Sequence, residues 1–134
     1  MHIKLIFHKT REIAKIVKNH GKKAKLIITM NATGSIIKQI ADKDTILICT
    51  TYTEGIDKHV KELHIHPFLH VKIYLTETHI IFSTANASTG NMIEASLIMD
   101  KKGKEAGETE AKIWEIARSL MTSPFDPLTS QAYL

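Results

Sequence analysis

The chain has 134 residues, 43% of them hydrophobic and 24% charged, with a formal charge of +4 and a pI near 9.2. That length suits one domain with a core of its own, and no apolar run approaches the ~18 residues of a membrane span, so a cytoplasmic protein with no membrane contact is expected. The N-terminus shows only a short, charge-interrupted apolar stretch and no small-residue cleavage site.

Residues 10–19 carry Ile13, Ile16 and Val17 at helical spacing and end at His20-Gly21. Residues 25–30 form a β-branched apolar run of strand length. The turn Asn31–Ser35 follows, and Ser35 is placed to cap a helix bearing Ile36, Ile37 and Ile40. Residues 45–50 repeat the strand pattern, and residues 55–63 carry Ile56, Val60 and Leu63 at helical spacing. Unbroken apolar strands followed by helices predict parallel strands covered on both faces. The expected class is therefore α/β, with a mixed, largely parallel sheet flanked by helices on both sides.

After Pro67 the pattern alternates. A strand over 68–76 would turn His70, Lys72, Tyr74 and Thr76 to one face and Val71, Ile73 and Leu75 to the other. Further strands are predicted at 78–84 and 94–99, then a helix over 110–121 with Ile113, Trp114, Ala117, Leu120 and Met121 inward. Residues 124–134, with two prolines, read as a C-terminal extension of a single domain spanning 1–134.

The single cysteine, Cys49, lies within an apolar run and reads as core. Basic residues are mostly lysine, isoleucine is abundant, and Gln39 and Gln131 are the only glutamines. This bias suggests a heat-adapted source. Lysine is concentrated at 22–25 and 101–104, and the positive charge is compatible with a polyanionic partner.

Two residues apart on a strand, His70 and Lys72 would leave one face about 7 Å apart at the backbone, close enough to converge on one phosphate. Histidine is a nitrogen nucleophile near neutral pH, lysine a fixed cation, and Thr84 and Asn86 are hydrogen-bond donors to phosphate oxygens. In order along the chain, His70-x-Lys72, Glu77, Ser83-Thr84-Ala85-Asn86 and Glu94 resemble the signature of the phospholipase D superfamily, over roughly residues 24–128. Glu77 stands where the family has aspartate, Thr84 where it has a second serine, and Ser83 where many members have glycine.

The resemblance implies a metal-independent phosphodiesterase without cofactor, most simply a nuclease acting on DNA or RNA through a covalent phosphohistidine. His70, Lys72, Asn86 and Glu94 would be catalytic, Glu94 orienting the histidine. Ser83 and Thr84 would contact substrate and Glu77 would be structural. Because the chain holds half of such a site, the resemblance also implies a homodimer that completes it. By position alone, Tyr52 and His66 are candidate substrate contacts at the cleft mouth. A zinc cluster of His64, His66 and His70 finds no supporting cysteine pair or His-Glu-x-x-His helix. His79 receives no role, and His2, His8, His20 and His59 read as surface residues. The alternative is a non-catalytic nucleic-acid-binding or dimerisation module of the same fold.

Overall fold

The protein is described by a computed structural model covering residues 2–122. Strand β1 (Ile3–Lys9) runs through a 3-10 turn (Thr10–Glu12) into α1 (Ile13–Asn19). Then follow β2 (Ala24–Ala32), α2 (Gly34–Ile40), β3 (Ile46–Tyr52), a 3-10 turn (Ile56–His59) and β4 (Glu62–Ile65). The chain continues through β5 (Lys72–Thr76), β6 (His79–Ser83), β7 (Ile93–Asp100) and α3 (Lys104–Thr122). The seven strands form one sheet in the order β1-β7-β6-β5-β2-β3-β4.

The α/β class and the mixed sheet are as expected, but the sheet is not largely parallel. Only β2/β3 and β3/β4 pair parallel, and the other four pairings are antiparallel. The connections explain this: residues 77 and 78 are too short a link for a crossover, so β5 and β6 must form a hairpin. Helices do cover both faces. Ile27, Leu47, Tyr74, Ile81 and Ile98 pack under Ile13, Val17, Ile37 and Ile40 of α1 and α2. On the other face, Leu26, Ile28, Ile48, Ile73, Leu75 and Ile80 lie beneath Ala106, Ile113 and Ala117 of α3. Trp114, Leu120 and Met121 close its margin. Double coverage is why residues 26–28 and 47–49 are apolar at every position.

Four segments differ from the sequence reading. The helix expected over 55–63 is one 3-10 turn, because Gly55 enters it at φ 91° and Val60 is already extended, leading into β4 beside β3. The strand expected from residue 68 starts at Lys72, after the Pro67 loop. The N-terminal stretch, read only as apolar and charged, is an edge strand registered against β7 from Ile3↔Met99 to Lys9↔Ile93. Helix α3 begins six residues earlier than its apolar periodicity indicated, at Lys104 rather than residue 110. The expected extension at 124–134 lies outside the described residues. Among those residues, no helix is long and apolar enough to cross a membrane.

Cys49 is buried in the core, and burial pushes its thiol up to about 12. The ring of His79 stands edge-on to that of His20, with centroids 5.0 Å apart. Burial, followed by the neighbouring His20, lowers its pKa below the usual histidine value; nearby Asp100 only partly opposes the shift. The unfolded chain therefore binds this proton more readily than the native one. The stabilisation is complete above the unfolded value of about 6.5 and is lost as pH falls below it. Thermal melts at pH 7.5 and 5 should show a smaller loss for His79→Gln than for wild type; an equal loss would show that this histidine is not the group responsible.

Candidate functional site

At the open end of the β5–β6 hairpin, opposite its turn, lies a cleft of about 430 Å³ lined by His70, Val71, Lys72, Phe82, Ser83 and Thr84. Lys72 heads a row across the sheet, in register with Ser83, which is in register with Ser96. The lysine is only 7% exposed, yet no ion pair or hydrogen bond to its ammonium is found among the described residues. None of their buried side-chain nitrogen or oxygen atoms is left without a partner, so the ammonium is not sealed in but reaches the cleft. An ammonium that snorkels from a buried stem into a cleft, with no carboxylate beside it, is free to meet an anion there.

Ser83, next in the row, belongs to a hydrogen-bonded chain. His8 Nδ1 lies 2.7 Å from the carbonyl of Lys9, which can only accept, so this nitrogen carries the proton. In the neutral ring Nε2 then accepts from Ser96 Oγ at 2.7 Å; Ser96 accepts from Ser83 at 2.7 Å, and Ser83 accepts from the Ala85 amide at 2.9 Å. His8 is buried, contrary to the surface position expected of it. The alternation Lys4, Ile6, His8 against Ile3, Leu5, Phe7 is the trace of this strand in the sequence, and it carries no clean polarity.

The remaining expected site residues divide. His70 shares the cleft with Lys72 but is exposed in the coil before β5, so the common strand face proposed for the pair does not exist. Thr84 lines the cleft, and its hydroxyl donates to Glu94 Oε1 at 2.8 Å; Thr10 donates to Glu94 Oε2 at 2.5 Å. The Glu94 carboxylate thus joins the 3-10 turn before α1 to the segment after β6. Asn86 Oδ1 accepts from Thr29 Oγ1 at 3.0 Å, from the Met30 amide at 3.1 Å and from the Asn31 amide at 3.2 Å. It fastens the end of β2, while Tyr74 fixes the same segment by donating to the Ala85 carbonyl at 2.8 Å. Neither Asn86 nor Glu94 lines the cleft.

Tyr52 is exposed at the end of β3, and the His66 ring accepts from the Phe68 amide at 3.3 Å; neither lines the cleft. Glu77 lies at the hairpin turn, the far end of β5 from Lys72, in a small depression with Lys22, Lys23, Lys25, Asp42 and Asp44. Among the described residues no group of three or more His, Cys, Asp or Glu is placed to hold a metal ion.

No family model matches the sequence, and no curated protein matches it significantly. A solved structure similar to this chain is that of TrmBL2, an archaeal chromatin protein with a novel mode of DNA binding. The TM-score is 0.51 at 10% identity, over 92% of this chain and 54% of that one. The chain thus spans about half the length of that protein, and at this identity the likeness concerns the fold. These findings overturn the phospholipase D assignment: no model of that superfamily matches, and the structural likeness is to a chromatin protein. In the structure the residues of the motif, although in order along the chain, hold partners other than those the resemblance implied. Its histidine is off the strand, its glutamate is held by two threonines, and its asparagine serves the backbone of β2.

Proposed function

We propose that the protein is a non-catalytic nucleic-acid-binding module that seats a backbone phosphate in the cleft at Lys72. The observation that carries this reading is the buried stem of Lys72 with its unpaired ammonium opening on the cleft. His70 lines the same cleft and adds hydrogen-bonding capacity. The net charge of +4 and the DNA binding of TrmBL2 support it. The lysine runs at 22–25 and 101–104 contribute less. Asp42, Asp44 and Glu77 stand among the first, and Lys101 of the second is paired to Glu110 at 3.0 Å. Their fields partly cancel.

A second reading, a metal-independent phosphodiesterase, is favoured by the meeting of His70 and Lys72 at one cleft. It is weaker because Glu94 and Asn86 are committed elsewhere. Incubation with labelled single- and double-stranded DNA and RNA in EDTA separates the two. The module retards these polymers and leaves them intact. Cleavage that persists in EDTA and disappears in His70→Ala would replace it with the phosphodiesterase.

A further inference from the structure

The two edges of the sheet are unlike. β4 is four residues long and ends just before Pro67, whereas β1 is seven residues long and carries large apolar side chains in the open: Ile3 46%, Leu5 58% and Phe7 71% exposed. A long apolar edge with free backbone groups is a template for another strand. The hydrogen bonds fix which groups are free. The Asp100 amide donates to the His2 carbonyl and the Thr10 amide to the Met92 carbonyl, so the even-numbered residues of this segment bond toward β7. By antiparallel alternation, Ile3, Leu5 and Phe7 turn their N–H and C=O groups outward.

From this edge we infer that two copies of the chain join, β1 against β1, in an antiparallel twofold pairing centred on Leu5. The edge is self-complementary in that register. Leu5 meets Leu5 of the second copy, Ile3 meets Phe7, and Lys4 meets Ile6. Every outward backbone group of the three residues finds a partner, giving about six hydrogen bonds, while no lysine faces a lysine. The apolar side chains paired across the seam lie on the α3 face of the sheet, beyond the area that α3 covers, continuous with exposed Leu97 of β7. A seven-residue strand is about 23 Å long. Edge pairing therefore buries on the order of 1,000 Å² in total, the lower bound for a specific interface.

This is a different dimer from the one expected of a shared active site. Seven strand spacings separate the two β5 strands, so the Lys72 clefts lie on the order of 30 Å apart as independent sites. The inference does not depend on what those clefts bind.

The test is sedimentation velocity of the full chain without nucleic acid, from about 1 to 100 µM, combined with cysteine crosslinking. Wild type should pass from monomer to dimer. Leu5→Pro removes an outward N–H without breaking the β1–β7 ladder, and Leu5→Lys sets two ammonium groups against each other; each should weaken association about 10-fold or more. Ile116→Lys, on exposed α3, should leave it unchanged. Leu5→Cys should form a symmetric disulfide under mild oxidation, because hydrogen-bonded antiparallel pairs hold Cα atoms about 5.5 Å apart. A wild type that stays monomeric at the highest concentration, or a dimer that both Leu5 variants and the control affect alike, would overturn the inference. Circular dichroism confirms that each variant is folded.

Discussion

Replacing Asn86 by alanine is expected to lower the unfolding free energy by about 3 kcal/mol, and the melting temperature by about 10 °C, while the folded fraction still binds nucleic acid. The Asn86 oxygen receives three hydrogen bonds from the last turn-ward residues of β2, two of them from backbone amides. Removing it takes the acceptor from the Met30 amide and from the partly buried Asn31 amide, while Thr29 can still donate to the Asn31 carbonyl at 3.1 Å. Asn86→Asp, which keeps an oxygen there, should recover most of the loss. Thermal melts of the three proteins check the point. If Asn86→Ala melted like wild type and lost binding instead, the asparagine would belong to the ligand site and its structural assignment would be wrong.

Lys72→Met should weaken binding and leave stability in place. Methionine keeps the apolar length of the buried stem and removes the charge that opens on the cleft, so stability should hold within about 1 kcal/mol. Affinity for duplex DNA should fall about tenfold, and the slope of log affinity against log salt should drop by about 1, the share of a single phosphate contact. Lys25→Met, an exposed lysine in the mixed-charge depression by Glu77, should change affinity far less. Parallel losses of stability and binding in Lys72→Met would mean that this lysine supports the fold and not a ligand.

Much of the architecture was legible in the sequence, and the failures have identifiable causes. The runs at Leu26–Ile28 and Leu47–Cys49 announced buried parallel strands, and the spacing of Ile113 and Ala117 announced the inward stripe of α3, because burial on one or both faces writes itself into apolar periodicity. Strand β1 was missed because an edge strand buries little. Ile3, Leu5 and Phe7 remain exposed while Lys4 and His8 share its other face, so the alternation carries no clean polarity. The 55–63 segment was misread because three apolar residues at helical spacing also serve a 3-10 turn followed by a strand, and the glycine at its start decides between them.

The site was less legible than the fold. Residues in motif order are a statement about a line, whereas chemistry needs convergence in space. Lys72 reaches its cleft as the register of β5 predicts. Two residues earlier the chain has not yet entered the sheet, and His70 follows the Pro67 loop instead. Glu94 and Asn86 found closer partners, in Thr10 and Thr84 and in the end of β2. No spacing rule foretells such competition between neighbours.

Fluorescence anisotropy of a labelled DNA duplex, titrated with wild type and Lys72→Met in EDTA at several salt concentrations, addresses the central claim most directly. The account predicts saturable binding to intact DNA that weakens with salt, with a slope shallower by about 1 in Lys72→Met. Absence of binding at low salt, or identical affinity and slope for the two proteins, would contradict it.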